Sequence, residues 1–71
     1  MATEYEQLVI NRLMALKNML PPAEQNMPVI MTMGGQVLTI DQMIAEIRAS
    51  TPTGRSYVEN EVRKLVGYGV V

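Results

Sequence analysis

The sequence predicts a single small α+β domain that is mostly helical, with a long N-terminal helix, a β-hairpin and two further helices. Three observations lead to this prediction. Apolar residues recur at three- and four-residue steps near both ends of the chain, a Gly-Gly pair separates two short β-compatible runs between them, and 71 residues suffice for one domain. The apolar fraction of 48% is typical of a globular protein rather than a disordered one.

The first predicted element is a helix over about residues 3–20. Thr3 and Glu6 form a capping box, in which the Thr3 hydroxyl accepts the amide of Glu6 and the Glu6 side chain reaches back. The helix ends before Pro21, because a proline disfavours helical geometry in the residue that precedes it. Its apolar stripe recurs at helical steps and predicts the buried face: Tyr5, Val9, Leu13, Leu16 and Leu20.

Further apolar residues flank this stripe and make the apolar arc wider than one small core needs: Leu8, Ile10, Met14 and Met19. Two interpretations stay open. A compact fold could wrap the helix on two sides, or these four residues could form a partner or oligomer surface, since contiguous exposed apolar patches commonly mark interaction sites.

A linker over residues 21–28 leads to a predicted hairpin over residues 29–40, with Gly34-Gly35 as its turn. A Gly-Gly pair between β-compatible runs is typical of two-residue hairpin turns, which need positive φ. With this turn, Met31 lies opposite Leu38, and both side chains belong to the buried face of the hairpin.

The second predicted helix covers about residues 40–50 and begins with another capping box, formed by Thr39 and Gln42. Asp41 complements the positive end of this helix. Its predicted buried face consists of three apolar residues at helical spacing: Met43, Ile44 and Ile47.

The third predicted helix covers about residues 52–67. Thr51 as the N-cap and Pro52 as the first helical residue are a typical start, although a capping pattern at Ser56 offers a later one. Gly67 is the expected left-handed cap, after which residues 68–71 form a short extended segment. The predicted buried face comprises Val58, Val62, Leu65 and Val66.

The composition leaves little material for catalysis or metal binding. The chain has no histidine and no cysteine, which removes the usual general base near neutral pH and the usual soft metal ligands. Of the seven carboxylates, Glu59 and Glu61 are spaced to pair with Arg63 and Lys64 on a solvated helix face. We therefore expect a protein that is not an enzyme and that binds neither a metal nor a cofactor.

The sequence also predicts a soluble, cytoplasmic protein without a membrane partner. No apolar run approaches the roughly 20 residues that span a bilayer, and the first residues are acidic where a signal peptide would be basic. The absence of cysteine fits a reducing compartment.

The segment Thr51–Ser56 carries the groups of an anion site at the start of the last helix. Backbone amides at a helix N-terminus favour anions. Three hydroxyls and a guanidinium accompany them: Thr51, Thr53, Ser56 and Arg55. The segment predicts either contact with a phosphate, which would fix the register of a recognition helix, or ordinary capping beside an exposed arginine.

Residues 36–71 resemble a helix-turn-helix or winged-helix domain, with a short strand, a positioning helix from Thr39 and a recognition helix that leads into a strand. The resemblance implies a helix-turn-helix-like arrangement of the last two helices. It also implies which residues face the DNA major groove or its phosphates: Ser56, Tyr57, Asn60, Arg63 and Lys64. The hairpin and the two helices after it are also similar in topology to small phage head-completion proteins.

Two classes of function follow from these patterns. The first is a small DNA-binding or transcription-associated regulator, a homodimer because symmetric half-sites multiply the affinity of a small module for duplex DNA. The alternative is a protein-interaction or assembly adaptor that uses the broad apolar face of the first helix. The C-terminal spacing favours the regulator, whereas the net charge of −1 favours the adaptor, because DNA-binding domains are usually basic.

Overall fold

The computed structural model describes the backbone of residues 3–32 and 34–69, and the side chains of this part as far as Lys64. Three helices and a two-stranded antiparallel hairpin follow one another in this part of the chain, which confirms the predicted α+β class and its layout. In chain order the elements are α1 (Glu4–Met19), β1 (Ile30–Met31), β2 (Val37–Leu38), α2 (Ile40–Arg48) and α3 (Pro52–Gly69).

Both predicted capping boxes are present and set the starts of α1 and α2. The amide of Glu6 donates to Thr3 Oγ1 over 3.1 Å, and the Thr3 amide donates to Glu6 Oε1 over 3.0 Å. Thr39 and Gln42 make the same reciprocal pair over 3.0 and 2.9 Å. Each box satisfies two backbone amides that would otherwise lack a protein acceptor at a helix end.

The buried core is aliphatic and draws on all three helices and the hairpin. Its members are Val9, Ile10, Leu13, Ile30, Ile40, Met43, Ile44, Ile47 and Val58. Leu20, Leu38, Tyr57 and Val62 pack against this cluster from its edge. The predicted buried faces of α2 and of the first half of α3 are thus confirmed, while the predicted burial of Leu65 and Val66 lies outside the described side chains.

The buried side of α1 is rotated around the helix relative to the predicted stripe. Tyr5 and Leu16, which were expected inside, are exposed, whereas Ile10 is only 1% exposed. Because α2 and α3 both pack on α1, the middle of its buried side lies around Val9, Ile10 and Leu13. The predicted place of Ile10 on a partner surface is therefore wrong: Ile10 belongs to the core.

The hairpin forms where predicted, but its register differs by one residue. Ile30 lies opposite Leu38, and Met31 lies opposite Val37. Since a shift of one residue turns every side chain to the other face, Ile30 is the buried residue of β1 and Met31 is 74% exposed. The predicted pairing of Met31 with Leu38 is wrong.

The loop explains this shift. The Thr32 amide donates to the carbonyl of Gln36 over 2.8 Å, so three residues, 33–35, separate the paired positions. The Gly35 amide donates back to the Thr32 carbonyl over 3.1 Å, and Gly35 has a φ of 87°. This is the pattern of a three-residue hairpin loop with its last residue left-handed, and the positive φ of Gly35 is what requires glycine there.

A turn of three residues, 49–51, joins α2 to α3, so the earlier of the two predicted helix starts is confirmed. The Ser50 amide donates to the carbonyl of Ile47 over 3.1 Å, and the Thr51 amide donates to the carbonyl of Glu46 over 3.2 Å. These two bonds form a Schellman motif. Ser50 occupies its left-handed position with a φ of 54°, where glycine is usual.

The end of α3 lies beyond the predicted one. The helix continues through Gly67 as far as Gly69, so the expected cap at Gly67 is wrong, and residues 68 and 69 are helical rather than extended. Glycine in a helix interior costs about 1 kcal/mol but does not end the helix unless it turns left-handed, and no proline follows to stop it. Residues 70 and 71, the remainder of the predicted extended segment, lie outside the described part.

Candidate interaction surfaces

The start of α3 offers fewer free amides to an anion than its sequence predicts. The Gly54 amide already donates to Thr51 Oγ1 over 3.1 Å, and Pro52 has no amide hydrogen. The Thr51 hydroxyl in turn lies 3.3 Å from the carbonyl oxygen of Glu46, to which it donates. Thr51 is therefore occupied as a cap, which is its structural role in this fold.

The predicted anion residues also separate onto two sides of α3. Thr53 and Ser56 line a shallow groove of about 230 Å³ against the hairpin, together with Asn60. Arg55 instead lines a groove of about 520 Å³ between α3 and the first turn of α1, where Glu6 also lies. The structure does not bring the guanidinium of Arg55 together with the hydroxyls of Thr53 and Ser56.

The basic residues near the end of the described side chains have acidic neighbours. Arg63 lies 3.8 Å from Glu59, and Lys64 lies 3.6 Å from Glu61, as the spacing predicted. Exposed pairs of this kind contribute little to stability, yet they offset the positive charge that a phosphate backbone would meet. Glu61 is less exposed than a fully solvated carboxylate, because it lies beside Tyr57.

Tyr57 is half-buried on the flank of α3 that packs against α1. Burial raises the pKa of its phenol to about 12, and the neighbouring Glu61 carboxylate adds to the rise. Tyr57 thus serves packing at the edge of the core. Asn60 is half-buried and already engaged in an interaction, so neither of these two predicted groove-reading residues projects freely from the helix.

A second surface consists of exposed residues of α1 that lie next to Val9, on the flank of the helix that faces α3. Four large apolar side chains are exposed there to 61, 45, 40 and 82%, namely Tyr5, Leu8, Leu16 and Met19. Arg12 and Ala15 are exposed between them. At 3.6 residues per turn, these six residues fall within an arc of about 100°. We call this set the outer face of α1.

Two of the four residues predicted as a partner surface, Leu8 and Met19, lie on the outer face. Met14 is 47% exposed but lies about 120° around the helix from Leu8. It lines a groove of about 790 Å³ between α1 and α2, beside the ion pair of Lys17 and Asp41. Their Nζ and Oδ2 atoms are 2.8 Å apart.

Tyr5 and Leu16 are the outer-face residues that the sequence reasoning assigned to the core instead. Their spacing carried a usable signal. The series 5, 8, 12, 15 and 19 follows alternating steps of three and four residues. The competing series 5, 9, 13, 16 and 20 also follows steps of three and four, and it shares Tyr5 and includes Leu16. Periodicity indicates both apolar faces of the helix, but it does not indicate which of them packs against the rest of the chain.

Comparisons with known proteins found no match. No family model matches this chain, and no similar protein was found among curated proteins or among solved structures. Functional inference therefore rests on the surfaces themselves.

None of the helices in residues 3–32 and 34–69 is both long and apolar enough to cross a bilayer. Within the same ranges, no three histidine, cysteine or acidic side chains lie close enough together to hold a metal ion.

Proposed function

We propose that this protein is a non-enzymatic interaction module that binds a protein partner through the outer face of α1. The observation that carries the proposal is the exposure of four large apolar side chains on one side of one helix. Contiguous apolar patches of this kind commonly mark interaction sites on soluble proteins, whereas singly scattered apolar residues do not. Met and Tyr are both enriched in interface cores.

The residues of the outer face are not needed to complete the core of this chain. Other positions around α1 already supply Val9, Ile10 and Leu13 to the buried cluster. Covering a large apolar side chain stabilises a complex by about 1.5–3 kcal/mol when burial is complete. Met19, the most exposed of the set, therefore gains most from a partner.

Site-directed variants test this proposal when they are used as baits in a selection of displayed peptides. Wild-type protein should enrich binding peptides, and Leu8→Glu and Met19→Glu should lose them, because a charge at the centre of an apolar contact is costly to desolvate. Met14→Glu is the matched control, because it places the same charge at an exposed apolar residue on another side of α1. Circular dichroism checks that all three variants stay folded.

Two outcomes would contradict the proposal. One is a wild-type protein that enriches no peptide above an empty support. The other is a set of peptides that bind Leu8→Glu as well as wild type but lose Met14→Glu. A separate variant, Ile10→Glu, should unfold, since Ile10 is buried in the core.

DNA binding by the α2–α3 pair is a second candidate function, and the turn between these helices favours it. Three residues separate α2 from α3, within the three to four that join the helices of a helix-turn-helix. The charges of Arg63 and Lys64 are offset by Glu59 and Glu61, however, so the face is close to neutral. For this reason we rank a protein partner above duplex DNA.

A titration with random duplex DNA at low salt tests the second candidate by amide chemical shifts. Binding should move signals of α3, and Arg55→Ala should lower both the affinity and its salt dependence, because each neutralised phosphate releases counterions. Arg48→Ala is the comparison variant, since Arg48 is an exposed arginine of α2 that lines the α1–α2 groove instead. An unchanged spectrum in excess duplex rules out this candidate, and with it the homodimer on symmetric half-sites.

A further inference from the structure

The outer face of α1 has the spacing of a helix-packing seam. Its residues at positions 5, 8, 12, 15 and 19 alternate in steps of three and four, and all of them are exposed. This alternation is the a and d pattern by which one helix receives the side chains of another at a shallow crossing angle. A straight helix lying along α1 would contact every member of the series, whereas a strand or a loop would not follow it.

Arg12 stands at the centre of this seam. It is exposed and makes no ion pair in the part of the chain that the structure describes. The acidic side chain that shares a groove with it, Glu61, is already paired with Lys64. Ala15, one turn further along, is small enough for a neighbouring helix to come close beside the arginine.

The large apolar residues of the outer face lie symmetrically about Arg12, and a second copy paired through this centre would bring two arginines together. Tyr5 and Met19 are each seven residues from Arg12, and Leu8 and Leu16 are each four residues from it. An antiparallel pair of α1 helices with its two-fold axis at Arg12 would match Tyr5 with Met19 and Leu8 with Leu16. This pair, like a parallel pair in register, would also place Arg12 beside Arg12 of the second copy. Two positive charges in contact repel each other and oppose such a pairing.

We propose that the outer face of α1 binds an amphipathic helix of a different protein, one that carries a glutamate or aspartate opposite Arg12. This inference rests on the proposed function and names its partner. The partner helix contributes apolar side chains that cover Leu8, Leu16 and Met19. Its central carboxylate pairs with the Arg12 guanidinium, and this pair selects the partner against a second copy of the chain.

Two synthetic helical peptides test the proposal by isothermal titration calorimetry with the full-length protein. Both carry leucines at the a and d positions, and they differ only in a central residue, which is Glu in one and Lys in the other. The Glu peptide should bind about tenfold more tightly than the Lys peptide, since a close charge pair across an interface contributes at least about 1.4 kcal/mol. Arg12→Glu should reverse this preference.

Control variants separate the charge from the surface. Arg48→Glu makes the same charge change on the exposed side of α2 and should leave the preference for the Glu peptide unchanged. Leu8→Glu should abolish binding of both peptides while the protein stays folded by circular dichroism. Sedimentation of the wild-type chain should give a monomer.

The outcomes distinguish this inference from the proposed function. Equal binding of the two peptides, with loss of both in Leu8→Glu, overturns the role of Arg12 but leaves the surface. A wild-type dimer that Leu8→Glu dissociates overturns the foreign helix in favour of a second copy. If neither helical peptide binds while selected non-helical peptides still need Leu8, the partner class is wrong and the function stands. If no peptide of any kind binds, the proposed function fails as well.

Discussion

Gly54 of α3 packs directly on the backbone of α2 at Glu46. A Cβ placed on Gly54 would overlap the carbonyl oxygen of Glu46 and would lie only 2.7 Å from the amide nitrogen of Ile47. Both opposing groups are backbone atoms, which cannot move aside as a flexible side chain does. The close approach of the two helices therefore depends on the absence of a side chain at Gly54.

Gly54→Ala should lower the free energy of unfolding by about 2 kcal/mol or more. Helix propensity alone predicts the opposite sign, since alanine is favoured over glycine inside a helix by about 1 kcal/mol. The overlap with α2 dominates because it forces the helices apart. Urea unfolding followed by circular dichroism measures the difference. Gly34→Ala is the control, because the nearest atom to its new Cβ is 3.9 Å away and the expected change is within about 0.5 kcal/mol.

Ser50→Gly should raise the stability of the protein. Ser50 holds a φ of 54°, a left-handed conformation that costs a residue with a Cβ about 1–2 kcal/mol and costs glycine almost nothing. Part of this gain is lost because glycine is more flexible in the unfolded chain, so we expect a net increase of about 0.5–1 kcal/mol. Ala49→Gly, at a neighbouring residue with a φ of −81°, should not stabilise. An equal rise in both variants would contradict the explanation.

The stability of the protein should fall between pH 10 and pH 12 because of Tyr57. Its folded pKa of about 12 exceeds the ordinary value of 10, so the folded chain holds the phenol proton more tightly than the unfolded chain does. The stabilising contribution is complete below pH 10 and is lost as the pH rises through 12. Tyr57→Phe should make urea midpoints less dependent on pH in this window.

Substitution of Glu61 tests what raises the pKa of Tyr57. Burial is the largest cause, and the carboxylate of Glu61 adds to it. Glu61→Gln should therefore lower the pKa of Tyr57 towards 10 without removing the whole shift, which ultraviolet absorbance of the phenolate can follow. No change in this variant would assign the shift to burial alone.

Lys17 and Asp41 should couple α1 to α2 by about 0.3–1 kcal/mol. Their 2.8 Å contact is the shortest ion pair among the described residues, but the aspartate is mostly exposed, so solvent weakens it. A double-mutant cycle with Lys17→Met and Asp41→Asn measures the coupling. The coupling should shrink in molar salt, because exposed charges are screened. A coupling that salt leaves unchanged would indicate that packing of the Lys17 stem dominates instead.

The sequence predicted the starts of α1 and α2 well and left two possible starts for α3, because each start depends on a few neighbouring residues. Thr3 with Glu6 and Thr39 with Gln42 form complete local patterns, and Thr51 with Pro52 forms another. No distant residue is needed for these bonds, so they can be derived without the fold.

Features that depend on the rest of the fold were harder to predict. The register of the hairpin depends on whether its loop has two or three residues. A Gly-Gly pair is compatible with either loop length, so the sequence alone does not decide between the two registers. The choice of buried face on α1 depended on where α2 and α3 pack, which moved Ile10 inside and Tyr5 outside. The predicted anion residues share a short segment of sequence, but successive residues of a helix point about 100° apart, so Arg55 and Ser56 lie in different grooves.

The carbonyl of Glu46 fixes the length of the connection between α2 and α3. It accepts the amide and the hydroxyl of Thr51 and lies against Gly54, three contacts that a single added residue would break together. An inserted tag or an extra loop residue at 49–51 should therefore destabilise the protein. The exposed turn around Pro22 and Ala23 is held by bonds within its own segment, from the Glu24 amide to the Pro21 carbonyl and from Gln25 Nε2 to the Leu20 carbonyl. A residue inserted there should disturb no contact of this kind between α2 and α3.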